Sequence, residues 1–256
     1  MSIVYPWSKT TLSVGTLALC LAMGALPLAA QQSNGEPAAL TAAQIAPALI
    51  RTDAVLGAYE VAHWAEEGML FVASSPSFDG DVPGYVHVFD ASDLRPIRRV
   101  QLPRRAFALA LDRSTGQLYA GNTLDGSLTV IDAKGGTILD TIQLGQPEDK
   151  GFEHVRMIVL DEQRGLAFVT GPGQKGVTWI VDTKARKMLH RIDTGLWTAG
   201  AAYDAGAGRL YVSGGGIEEI SVIDVASGQR VGGLSTGDTS EEGGDACLPS
   251  APMAQI

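Results

Sequence analysis

From about Pro47 onward, apolar and polar side chains alternate in runs of five to seven, cut by turns of Gly, Asp, Ser and Lys. A period of two residues is that of a strand with one face turned to a core, and no stretch sustains the longer period of a helix. The runs also recur. Four segments share an apolar–aromatic strand: "LFVAS" from Leu70, "LYAGN" from Leu118, "AFVTG" from Ala167 and "LYVSG" from Leu210. Each leads to a second strand that ends in Asp, at Asp90, Asp132, Asp182 and Asp224. A strand precedes each pair and closes at Trp64, Asp112, Asp161 or Asp204, seven positions before the next aromatic. Another follows, as in "TILDTIQL" and "KMLHRIDT", and thirteen residues after each strand-ending Asp stands a breaker: Pro103, Gly145, Gly195 and Gly237.

The spacing between equivalent Asp residues is 42 to 50 residues, the length of a propeller blade. Four antiparallel strands per unit make such a blade. The fold expected is all-β, a β-propeller with about four blades present, at about 51–103, 104–145, 146–195 and 196–237.

"LYVSGGGIEEISVIDVASGQRVGGLSTG", from Leu210, resembles the YVTN-type β-propeller repeat. "LGAYEVAHWAEEGMLFVASS", "GNTLDGSLTVIDAKGG" and "VRMIVLDEQRGLAFVTG" are similar to the YncE-like branch of exported propellers, over about Pro47 to Gly237. The resemblance implies seven blades, which would need roughly 300 residues. After Gly237 the repeat gives way to "DTSEEGGDACLPSAPMAQI", with four acids and no alternation. The expectation is therefore an open or incomplete propeller: a truncated relative of a seven-bladed protein with an aberrant or disordered tail at 238–256, the rival being a natural four-bladed form. Its first and last blades would leave apolar faces without a neighbour, which favours association.

Ahead of the repeats, residues 1–30 carry one charge, Lys9, then the apolar run "LSVGTLALCLAMGALPLAA" ending at Ala29-Ala30. This reads as a signal peptide cleaved near Ala30, followed by a linker at 31–50. Pro27 and the Ala-rich end argue against a retained membrane anchor, and Leu19 ahead of Cys20 argues against a lipid anchor. The expected location is periplasmic or secreted, with no membrane association after cleavage. The chain has 19 Lys and Arg against 28 Asp and Glu, a net charge of −9. Such a surface has no general attraction for nucleic acid or anionic lipid. Cys20 would leave with the signal, and Cys247 alone can form neither an internal disulfide nor a thiolate metal site.

Residues that recur in every unit are architectural by default. The Asp residues that end the second strands suit turns, where a short carboxylate accepts nearby backbone N–H groups. His63, His87, His154 and His190 lack metal-ligand spacing, and no nucleophile motif or phosphate loop occurs, so neither metal nor cofactor is expected. His63 occupies the position of Leu111, Leu160 and Tyr203, which predicts that it is packed.

The residues that differ between units carry more information. At the starts of the first strands, which line the channel of a propeller, stand Tyr59-Glu60, Phe107-Ala108, Arg156-Met157 and Ala199-Gly200, with Trp197 just before the last pair. The candidate ligand-binding set is Tyr59, Glu60, Phe107, Asn122, Arg156 and Trp197. Tyr59, Glu60, Phe107 and Arg156 also match positions of the YncE-like pattern. A guanidinium there can hold a carboxylate or phosphate through two hydrogen bonds. The competing reading is that Tyr59 and Phe107 pack and Arg156 bridges to Glu60. The expected function is an exported binding or scaffold module without catalysis of its own, for a small anionic ligand or a protein partner. The alternatives are a propeller enzyme of lactonase or dehydrogenase type, and a non-functional fragment.

Overall fold

The computed structural model describes residues 49–77, 79, 82–149, 151–215 and 219–236. The expected signal peptide with Cys20, most of the linker, Lys150, Gly237 and the tail with Cys247 lie outside these residues. Among the described residues there is no α-helix; strands carry the fold, with 3-10 turns only at Ala65–Glu67 and Thr123–Asp125.

Sixteen strands form four antiparallel sheets, each built from consecutive strands. Sheet one holds β1 (Ala58–Trp64), β2 (Met69–Ser74), β3 (Gly84–Asp90) and β4 (Pro96–Leu102). Sheet two holds β5 (Ala108–Asp112), β6 (Gln117–Asn122), β7 (Ser127–Asp132) and β8 (Ile138–Gln143). A two-stranded hairpin, β9 (Pro147–Glu148) and β10 (Gly151–Phe152), leads into sheet three: β11 (Met157–Asp161), β12 (Leu166–Gly171), β13 (Gly176–Asp182) and β14 (Lys187–Gly195). Sheet four comprises β15 (Thr198–Asp204), β16 (Arg209–Gly214), β17 (Glu219–Asp224) and β18 (Gln229–Ser235). The first strands are neighbours in chain order, β1 by β5, β5 by β11 and β11 by β15, as in a propeller-like fold.

The period of two decides which side chains meet. Directly opposed residues of an antiparallel pair point to one face, so each sheet has a leading face, toward its successor, and a trailing face. The leading row Ala62, Phe71, Val88 of sheet one meets the trailing row Leu111, Leu118, Ile131 of sheet two. Sheet two leads with Ala110, Tyr119, Val130, and these pack on Ile158, Val169, Trp179 of sheet three. Sheet three leads with Val159, Phe168, Ile180, against Tyr203, Leu210, Ile223 of sheet four. The core is these three joints.

The recurring Asp residues do close turns. Asp90 accepts hydrogen bonds from the Ser92 backbone and hydroxyl, Asp132 from the Lys134 and Gly135 backbone, Asp182 from Lys184 and Ala185, and Asp224 from the Ser227 backbone and hydroxyl. These bonds hold the Asp90 and Asp224 carboxyls below the usual range, the serine bonds weighing most and Arg95 or Arg209 adding to them. His63 departs from its expected place. It is exposed, because it lies on the trailing face of sheet one, where no fifth sheet covers it among the described residues.

Candidate functional site

Tyr59 and Glu60 stand at an irregularity that the strand pattern hides. The β1–β2 register shifts between Ala58 and Val61, and the β15–β16 register shifts between Thr198 and Gly200. An extra residue in one strand bends it and re-aims its side chains. The pairs that differ most between units therefore lie where the backbone departs from the ladder in sheets one and four.

Tyr59, 44% exposed, places its ring 4.0 Å from that of the buried Phe107, at 44°. Tilted aromatic pairs at this separation hold each other by ring electrostatics as well as contact area. Glu60 is half-buried beside them. Burial raises its carboxyl above the usual range, opposed by a hydrogen bond from the Leu109 backbone and by the charge of Arg156. Arg156 is exposed, just before β11, and its backbone N–H donates to Thr170 O at 2.7 Å. Arg156 and Glu60 attract each other across a gap wider than the 4.0 Å of a direct ion pair. The bridge of the competing reading is thus not formed as a contact, and the guanidinium faces solvent.

Trp197 is 49% exposed and its φ is 49°, in the left-handed region that bulky residues avoid. Its carbonyl accepts from Gly215 N–H at 3.0 Å, as the carbonyl of Gly57 accepts from Ser75 at 2.9 Å ahead of β1. Gly57 has φ 65°, so Trp197 occupies a glycine's place in the repeat. A left-handed non-glycine costs about 1–3 kcal/mol and persists where the surroundings hold it. Here the hold is the Trp197 N–H on Gly173 O, at 2.8 Å. Trp197 stands at the same end of the strands as Arg156, one sheet along.

Asn122 is not at the surface. It is fully buried, its amide donates to Arg105 O at 3.1 Å, and its Oδ1 accepts from Ser127 Oγ at 3.2 Å and Thr129 Oγ1 at 2.8 Å. It ties the β6–β7 hairpin to the chain entering β5. Thr123 is buried in the following 3-10 turn, and its carbonyl accepts from Val155 N–H. The structure thus brings together Tyr59 with Phe107 and Glu60 with Arg156, leaves Trp197 ahead of β15 at the same end of the first strands, and buries Asn122.

Three features escape the sequence pattern. The connection before β11 is pinned, because buried Glu153 pairs with Arg191 of β14 and accepts from Gln146 N–H at 3.0 Å. This charged partner, with Asp193 on its other side, raises the Arg191 guanidinium further. Thr178, Thr194 and Thr198 form a buried hydroxyl chain at 3.0 and 2.9 Å between sheets three and four, at the end of the strands where Trp197 stands. A groove of about 410 Å³ opens at the outer edge of those sheets, lined in part by Arg164, His190, Tyr203 and Arg209. Its arginines are already engaged, Arg164 by Asp161 and Arg209 by Asp224. Among the described residues, no group of three His, Cys, Asp or Glu is placed to hold a metal ion.

No protein-family model matches the chain. It is 30% identical over 185 residues to "Uncharacterized protein YncE" of Escherichia coli O157:H7, and equally to that of strain K12, covering 70% of this chain and 52% of each relative. To YncE of Salmonella typhi it is 31% identical over 175 residues, 67% of this chain and 49% of that protein. The chain spans about half the length of the curated relatives it matches. This homology and the four-stranded antiparallel sheets together fit a YncE-like propeller.

Proposed function

We propose that the chain is an exported, four-bladed and open propeller of the YVTN type that binds a small anionic ligand at its channel mouth and performs no catalysis of its own. The observation that carries this reading is the solvent-facing guanidinium of Arg156, free of a direct ion pair with Glu60 and set on the rim that holds Tyr59, Phe107 and Trp197. A planar guanidinium supplies paired donors to a carboxylate or phosphate, and the flanking rings supply apolar walls to a ligand body. Asn122 acts from below by fixing the hairpin of the rim. The apolar leader directs export, and amino-terminal sequencing of the secreted chain should find a start close to Gln31.

The test is thermal unfolding with inorganic phosphate and with citrate as probes. The unaltered chain should gain several degrees of Tm with at least one probe, because a ligand that binds only the folded state stabilises it. Arg156→Ala should abolish the gain while retaining the Tm of the free chain. An equal gain in the variant would remove Arg156 from the site.

A further inference from the structure

The three internal joints are built from equivalent rows, but their outer edges are closed differently. In the first joint Arg98 of β4, opposite Val88, lies along Gly136 of sheet two. A Cβ at Gly136 would stand 3.3 Å from the Arg98 Cδ and Nε, and Nη2 donates to Ala133 O at 2.9 Å. In the second joint the reach is reversed. Arg186 follows Asp182 by the same interval as Gly136 follows Asp132, and it donates to Leu139 O at 3.3 Å and Asp140 Oδ2 at 3.4 Å. In the third joint smaller groups take both places. His190, opposite Ile180, stands where Arg98 and Asp140 stand, and Gly228 stands where Arg186 stands. The imidazole lies against Gly228, where a Cβ would overlap the ring. A further filler is also missing. Lys184 lies over Gly165, its Cε 3.1 Å from the place of a Cβ, whereas Ala226 takes the position of Lys184 in sheet four and leaves nothing within 4 Å of a Cβ at Gly208.

The groove of about 410 Å³ is the space that these replacements leave. It belongs to an internal joint whose two walls are both described. The chain leaves sheet four at Ser235, opposite Glu219, at the far end of the strands from Asp224 and the groove. Leu166, Ile180, Leu189, Tyr203 and Val225 give the groove an apolar lining, which with this volume suits a small molecule. The polar groups on offer are donors. Arg209 makes its hydrogen bonds through Nη1, to Asp224, Ala207 O and Gly208 O, so Nε and Nη2 remain. Neither ring nitrogen of His190 has a partner among the described residues. The one carboxylate of the lining, Asp224, is taken up by Arg209 and Ser227.

We propose that this groove binds a small, flat, apolar molecule that carries one carboxylate. The body of the ligand takes the space that arginine stems fill in the other joints, since such stems pack as apolar chains. Its carboxylate accepts from Arg209 and His190, and a cation would instead meet two guanidinium groups and no unused acid. The site lies at the Asp161–Leu166 end of sheet three, and Arg156 precedes the other end, at Met157–Thr170. The phosphate experiment at the rim and the following one therefore fail independently.

The probe is 2-naphthoate, titrated into the full chain by calorimetry, with 2-naphthol and 2-naphthylmethylammonium as neutral and cationic analogues. One naphthoate should bind per chain, about tenfold more tightly than naphthol, because hydrogen bonds to a charged acceptor are the stronger kind. The ammonium should not bind. Ala226→Met sets a neutral stem at the position of Lys184, and His190→Arg copies Arg98. Each should weaken naphthoate by about tenfold or more while keeping the circular dichroism and Tm of the unaltered chain. His190→Arg adds positive charge, so a loss there reports the filling of space and not a loss of attraction. Arg156→Ala should bind naphthoate as the unaltered chain does. The absence of any binding heat overturns the proposal. Equal affinity for the three probes also overturns it, by reducing the groove to an apolar cleft. Unchanged naphthoate affinity in either variant that folds does the same, by placing the probe on another face.

Discussion

Strands β13 and β17 both hold the third place in their sheets. Yet all but the last residue of β13 is buried, whereas β17 buries only Ser221 and Ile223, which point to its trailing face. Among the described residues the difference is one of neighbours: sheet three is covered on both faces, by sheets two and four, while sheet four is covered on one. The fourth strands are open in both sheets, but β14 still buries two residues and β18 none. A shared repeat therefore sets strand and register, and the place of the unit in the row sets what its side chains contribute to stability.

The contrast between covered and uncovered sheets is tested most severely in the packed interior. Trp179→Ala, in the joint of sheets two and three, should cost about 3–5 kcal/mol in urea unfolding, while Val222→Ala on the free leading face should cost less than about 1 kcal/mol in the monomer. Equal losses would mean that sheet four's leading face is as well packed as the interior. Asn122→Ala comes next, at about 1–3 kcal/mol, because it leaves the Ser127 and Thr129 hydroxyls and the Arg105 carbonyl without their buried partner. A loss within error would place Asn122 back at the surface.

The smallest effect belongs to Glu60. Its carboxyl is raised in the fold, chiefly by burial, so the charged form is disfavoured relative to the unfolded chain. That cost is full above the raised value and absent below the ordinary one. Glu60→Gln should therefore raise Tm slightly at neutral pH, and the gap should close as the pH falls through the carboxylate range. A variant that is less stable at neutral pH would show that attraction to Arg156 outweighs burial.

Strands are legible in the sequence because alternation is local, and the four Asp turns because a short carboxylate closes a turn wherever it ends a strand. What escapes the sequence depends on distance. The repeat predicts a packed His63 because its equivalents are packed, but packing needs a preceding sheet. Asn122 ends a strand as a rim residue would, yet its partners Arg105 and Thr129 are 17 and 7 residues away, so no local pattern marks it as buried. The bulge at Tyr59 and the left-handed Trp197 are backbone states that a side-chain alphabet does not record.

Trp197 has one more consequence, in light emission. Among the described residues the other tryptophans are Trp64, 6% exposed under the Lys134 ammonium at 5.4 Å, and Trp179, fully buried. Of these three only Trp197 is exposed to solvent. The red edge of their emission, and its quenching by acrylamide, therefore report from the left-handed residue ahead of β15, so that stretch of the chain carries its own optical probe.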